Sequence, residues 1–416
     1  MIHKNRTRLE LLSLEERLTP SFTGIYEPTT DTWTLNQVSD DGIVAISIAA
    51  GTNDLTVDET FFGGGMATFG VATGNLTINL LDNSTPGLVV INDGGLTGNL
   101  SINLGSGDRF FFGGTFLSGT GSIGGNVTVT AGAGDQDVLL GFNPIGFGTT
   151  PVSIGGSANI DLGTGIDFVI QFDDLFIGGS FTMRNVNDFL DAPDNGSLTM
   201  IVGGNLNFYV NQENLESELN LDDLLLLSIG GNVTYFGGND EDNLDITGNG
   251  ASFIGGSVYV NLGNAMNLNG VSDSQDVEIP DVIIGGNLTV IGGFNVADPG
   301  VFDFVDTNAG TVIGGNVYIN TGPNGLDVVN LFGTIGGSSV RVITGIDNDS
   351  VTYAMTGNRV RVFTSMSLGN DTFILGDGIS NPSLGYLYVD FGFGADIFMN
   401  NFFGPYTFPV VLRNLP

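Results

Sequence analysis

Apolar and polar residues alternate along most of this chain in short runs. Val127-Thr128-Val129, Val258-Tyr259-Val260 and Val317-Tyr318-Ile319 are typical. A period of two places one face of a strand inward and the other outward. The runs share one punctuation: an aliphatic residue, two glycines, then Asn or Ser. Clear copies are Ile123-Gly124-Gly125-Asn126, Ile229-Gly230-Gly231-Asn232, Ile284-Gly285-Gly286-Asn287 and Ile313-Gly314-Gly315-Asn316.

The Asn/Ser positions are Asn75, Asn99, Asn126, Ser157, Ser180, Asn205, Asn232, Ser257, Asn287 and Asn316. Successive members lie 23 to 31 residues apart. Recurrence at such a period marks a solenoid, propeller or array, and a four-stranded propeller blade needs roughly 40 residues. Leucine-rich repeats share the period but require a different Leu/Asn signature. A hairpin turn would not demand one residue class at a coil-length period. The pattern therefore predicts an all-β chain folded as a single-stranded parallel β-helix (β-solenoid) of about 13 coils of roughly 20–31 residues, with an Asn/Ser ladder. At about 4.8 Å per coil the rod would be about 60 Å long. The ladder is expected to point inward, each amide bonding those above and below, because a stranded buried polar group costs about 1–3 kcal/mol. The glycine pair is expected to supply positive φ or close backbone approach.

Four segments follow: residues 1–21, a cap and first coil over 22–70, the repeat domain over 71–400, and a C-terminal cap over 401–416. Residues 1–21 carry the sole helix-like pattern, with Leu9, Leu11, Leu12, Leu14 and Leu18 interrupted by charges. Those charges break the apolar stretch that a standard secretory signal needs. The aromatic, proline-interrupted end Phe402-Phe403-Gly404-Pro405-Tyr406-Thr407-Phe408-Pro409 leaves no room for a membrane barrel and is expected to cap the solenoid.

Composition narrows the chemistry. There are 45 acidic against 10 basic residues, and the formal charge is −35. His3 and Lys4 are the sole His and Lys, and Cys is absent. Beyond Ser21 the positive residues are Arg109, Arg184, Arg341, Arg359, Arg361 and Arg413. So few cations exclude neutralisation of a nucleic-acid backbone or an anionic lipid surface. Catalysis by His, Lys or Cys, and zinc sites built from His and Cys, lack their residues. With 41% hydrophobic residues the chain is not a disordered polyanion. No run of 18 apolar residues suggests a membrane span.

Oxygen-ligated cations remain open. An Asp follows Gly or Asn after most ladder positions, and Asp108, Asp137, Asp167, Asp240, Asp242, Asp349, Asp371 and Asp396 are the candidates. Stacked coils would bring them to one edge, about 5 Å apart, where they would splay into water or bind Ca²⁺ weakly. Residues 238–242 are the densest cluster. Asp in a Gly-rich turn is also ordinary turn chemistry.

Two resemblances add to this reading. Leu14-Glu15-Glu16-Arg17-Leu18-Thr19-Pro20-Ser21 resembles the LE-x-R-x-x-P-S element near the start of many planctomycete surface and secreted proteins. It implies export. Gly119-Thr120-Gly121-Ser122-Ile123-Gly124-Gly125-Asn126-Val127-Thr128-Val129 resembles bacterial β-strand-repeat proteins of the adhesin and autotransporter-passenger kind. That likeness spans about residues 65–345 and implies a β-solenoid without a specific ligand.

The expectation is a non-catalytic, exported structural or adhesion protein of a cell surface or matrix, with envelope components or polysaccharide as partners. Two alternatives stand beside it. One is a polysaccharide-active β-helix enzyme using paired carboxylates. The other is a carbohydrate- or partner-binding module using the stripe Thr128, Thr234, Tyr259, Thr289 and Tyr318.

Overall fold

The computed structural model describes residues 22–415 except 39–43, 50, 59–65, 83–87, 93, 108–114, 119–120, 144–147, 172, 192–197, 211–216, 223, 239–241, 249, 264–274, 294–301, 324, 377–383 and 402–407. The described residues form strands and turns without a helix, so no helix is long and apolar enough to cross a membrane. The fold is the all-β parallel solenoid that the repeat predicts.

One coil shows the plan. Ser122–Ile123 leads through Gly124-Gly125 into Val127–Thr130, then through a glycine corner into Asp137–Leu140. The chain next returns to Val152–Ile154, which lies directly on Ser122–Ile123. Three faces result. The ladder face is a 16-stranded sheet, parallel throughout except for the N-terminal hairpin Phe22–Glu27/Thr32–Gln37. The acidic face stacks strands such as Asp137–Leu140, Phe168–Gln171 and Gln275–Glu278, and the short face stacks Ser122–Ile123, Val152–Ile154 and Leu175–Ile177. Ten coils carry the glycine-corner ladder, from Asn75 to Asn316, a count slightly below the 13 coils expected. Ser339–Ile343, Val360–Ser365, Leu384–Asp390 and Val410–Arg413 continue the ladder face beyond them.

The alternation drives the stack. Val127 and Val129 are buried, as are Leu206 and Phe208, and Leu288 and Val290. Each sits in register on its equivalent in the next coil. A fully buried aliphatic or aromatic side chain contributes about 1.5–3 kcal/mol, and here those contributions form one column along the axis. Inside it, Phe208 stacks on Tyr235 with ring centroids 5.6 Å apart.

The cross-section changes towards the C-terminal coils. Leu326–Ile335 is a ten-residue strand that pairs with both Phe302–Asp306 and Val312–Ile313. Acidic and short faces thereby merge into one long strand, followed by the eight-residue strand Ser350–Gly357.

Candidate functional site

The glycine corner forms a ladder of a different kind from the inward one expected. Asn126, Asn232, Asn287 and Asn316 are exposed, and the serines are half-buried. The side-chain oxygen of one coil accepts the backbone N–H of the same position in the next. Asn126 Oδ1 accepts Ser157 N–H at 2.8 Å, Ser157 Oγ accepts Ser180 N–H at 3.0 Å, and Asn205 Oδ1 accepts Asn232 N–H at 2.8 Å. The pattern runs from Asn75, whose Oδ1 accepts Asn99 N–H at 2.8 Å, to Asn316, whose Oδ1 accepts Ser338 N–H at 3.1 Å. Between those ends Asn99, Ser180, Asn232, Ser257 and Asn287 do the same.

The backbone explains the demand for an oxygen. Gly125 N–H points back to Gly98 O at 2.9 Å, whereas Val127 N–H points forward to Ser157 O at 2.9 Å. Between these two reversed donors, Asn126 N–H points back at a residue whose own carbonyl already accepts Leu76 N–H. Only the Asn99 side chain offers an acceptor there, at 2.8 Å. Asn and Ser both reach, which is why they interchange. Close approach, not positive φ, requires the glycines. A Cβ at Gly155 would lie 2.5 Å from Gly124 O, and one at Gly156 would lie 2.4 Å from Asn126 Oδ1.

A second ladder runs inside the corner between the ladder and acidic faces. Its members are Gln136, Asp167, Asn187, Ser217, Asp242, Gln275, Asp327, Asp349, Asp371 and Asp396, all buried. Here the later coil supplies the oxygen. Asp167 Oδ1 accepts Gln136 N–H at 2.7 Å, and Asn187 Oδ1 accepts Asp167 N–H at 2.9 Å. In the C-terminal coils Asp349, Asp371 and Asp396 each accept the N–H of the preceding member at 3.0 Å. The Asp371 and Asp396 Oδ2 atoms have no hydrogen-bond partner. Midway, Asp242 accepts from the Ser217 hydroxyl and from Gly238 N–H at 2.9 Å, beside the buried Tyr235 hydroxyl at 3.3 Å.

This placement corrects the expected acidic edge. Asp167, Asp242, Asp349, Asp371 and Asp396 do share one column, but inside the corner rather than splayed into water. Asp137 is buried one residue past the column, where Gln136 takes the ladder position. Asp108 and Asp240 lie outside the described residues. Among the described residues no three His, Cys, Asp or Glu side chains form a group that could hold a metal ion. Burial penalises charge here. Loss of hydration pushes the Asp349 carboxyl up to about 7, partly opposed by the Thr344 hydroxyl and Asp327 N–H and reinforced by the Asp371 and Asp347 charges. Loss of hydration likewise pushes Asp371 up to about 6, opposed by Asp349 N–H and reinforced by Asp396.

The outer surfaces differ in chemistry. The acidic face carries Asp188 paired with Glu218, and Asp245 in line with Glu278 and Asp306. Loss of hydration there raises Asp245 to about 6, with Thr247 lowering it and the Asp222, Glu278 and Glu218 charges adding to the rise. On the ladder face, Thr128, Thr234, Tyr259, Thr289 and Tyr318 form the single outward column expected of them. That column continues through Arg341, Phe363 and Tyr388. Its neighbour holds Arg184, with its guanidinium 4.4 Å over the Tyr209 ring, and Tyr209 stacks on Phe236 at 5.4 Å. Sequence reasoning missed this aromatic and arginine continuation because its members come together only when the coils stack. Compared with known protein families, curated proteins and solved structures, the chain matches none.

Proposed function

We propose that this chain is a non-catalytic, exported β-solenoid that serves as a structural or adhesive element of a cell surface or extracellular matrix. The observation that carries the reading is the use made of the buried polar groups. They form a column repeated coil after coil, in which Asp167, Asp349, Asp371 and Asp396 each accept a neighbouring coil's N–H. Polar chemistry spent on stacking suits a rod that presents long faces. The strongly acidic composition suits a soluble, self-repelling exterior protein. Export rests on the likeness at Leu14–Ser21, which lies outside the described residues.

Fractionation of cells expressing the chain with and without residues 1–21 tests the export component. Loss of the extracytoplasmic pool on deletion supports it, and unchanged secretion overturns it. A screen against polysaccharides tests the non-catalytic component. Turnover abolished by a single Asp substitution would contradict it.

A further inference from the structure

The ladder face of the C-terminal coils concentrates cations that are sparse in the rest of the chain. Its outward positions between Ser339 and Arg413 include Arg341, Arg361 and Arg413, all exposed, in a protein of formal charge −35. The strand-borne carboxylate beside them, Asp390, is engaged locally. It accepts the Tyr388 hydroxyl at 3.2 Å and Asn414 Nδ2 at 2.7 Å. The guanidinium groups lie against rings. Arg341 sits 5.9 Å from the Tyr318 centroid and Arg413 5.7 Å from that of Tyr388. A guanidinium over a ring keeps its N–H fork for a planar acid group.

The rings are themselves grouped and reachable. Phe363 is 38% exposed, with Tyr386 and Tyr388 at 5.8 and 6.4 Å between centroids. Ser339, Arg341, Phe363, Ser365 and Tyr388 line a shallow groove of about 440 Å³. At the corner leading into Val360–Ser365, Arg359 is exposed and held at a φ of 57°. Left-handed backbone favours glycine, yet this corner carries a cation.

We propose that this surface binds an acidic polysaccharide, with Arg341, Arg361 and Arg413 receiving its carboxylate or sulfate groups and Phe363, Tyr386 and Tyr388 receiving its sugar rings. The proposal deepens the adhesive reading and rests on it, by naming the ligand class. Flat rings beside hydroxyls and guanidinium forks suit acidic sugars, and strands about 4.8 Å apart repeat that chemistry along the axis for a polymer. Charge complementarity selects an anionic ligand over a neutral glycan.

The test is calorimetric titration of the purified full chain with polygalacturonate and with dextran sulfate at low salt, beside neutral cello-oligosaccharides and single-stranded DNA. The arms separate carboxylate from sulfate recognition. Binding of at least one acidic polymer is expected, weakening at least tenfold in Arg341→Ala/Arg413→Ala and in Tyr388→Ala. Arg184→Ala, far along the stack, should retain affinity. Circular dichroism and melting curves matching the parent show that each variant is folded. Lack of binding to either acidic polymer, equal binding to neutral glycan, tighter binding to DNA, or affinity unchanged in all variants overturns the proposal. Dissociation of a dimer by the arginine variants, seen by sedimentation, would instead assign the face to a second copy and also overturn it. None of these outcomes bears on export, which cell fractionation reads separately.

Discussion

At the glycine corner the ladder oxygen belongs to the earlier coil and water reaches it. At the acidic corner the oxygen belongs to the later coil and water does not. Asn232 is exposed and accepts Ser257 N–H at 2.8 Å, while Asp371 is buried and accepts Asp349 N–H at 3.0 Å. Both answer the same problem, a corner N–H that the neighbouring coil's backbone cannot satisfy. The environment decides what each can be made of. The outer corner takes only side chains of the right reach, Asn or Ser. The inner corner takes Gln, Asn, Ser and Asp, and Asp349 and Asp371 there hold their protons more tightly because hydration is lost.

The glycine corner breaks most severely through its backbone. A Cβ at Gly230 would lie 2.3 Å from Gly203 O, with no flexible side chain to give way. Gly230→Ala is expected to cost about 3 kcal/mol, the upper range for overpacking, read from urea unfolding. The inner ladder should respond next. Asp371→Ala removes the acceptor of a buried N–H and should cost about 1–3 kcal/mol. Asp371→Asn keeps the oxygen, sheds the charge, and should unfold at a urea concentration no lower than the parent at pH 8. A large loss in the Asn variant would mean that the negative charge itself stabilises the corner.

The same contrast predicts a pH dependence. Asp349 and Asp371 rise from 3.8 to about 7 and about 6 in the folded protein, so the folded state holds protons that the unfolded state releases. Their contribution is fully present below about pH 4 and lost as pH rises through 6 and 7. The melting temperature should therefore climb on acidification from pH 8 to 4. Asp349→Asn/Asp371→Asn should flatten the climb, leaving the share from Asp245 and Asp306, both raised by lost hydration. The outer ladder contributes no such slope. Its weakest test is Asn232→Ala, expected to cost about 0.5–1.5 kcal/mol because water can replace the lost acceptor. Asn232→Ser should restore the parent value.

Much of this was legible in the sequence. The Ile-Gly-Gly-Asn/Ser period fixes the coils, and the alternation after it fixes the faces. The ladder's orientation was readable too. If Val127 and Val129 point inward, a period of two puts Asn126 outward, yet the cost of a buried polar group argued for the opposite. The second ladder was half visible. Asp167, Asp242, Asp349, Asp371 and Asp396 stand out in the sequence as turn carboxylates and weak Ca²⁺ candidates, while Gln136, Asn187, Ser217, Gln275 and Asp327 do not. Their common property is a place two residues before an inward-packed apolar residue, such as Val138, Phe189 or Phe373, which no single residue type marks. The merging of two faces at Leu326–Ile335 had a signal in ten residues without a turn-forming pair. The arginine and ring surface had none, because its members come together only when the coils stack.

The most direct test is hydrogen exchange at the two ladder amides, Ser257 N–H and Asp349 N–H, in the parent and in Asn232→Ala. Both amides should be protected in the parent. The variant should expose Ser257 N–H while Asp349 N–H keeps its protection. If Ser257 N–H exchanges as fast in the parent as in the variant, the side-chain oxygen does not satisfy that corner and the ladder account fails.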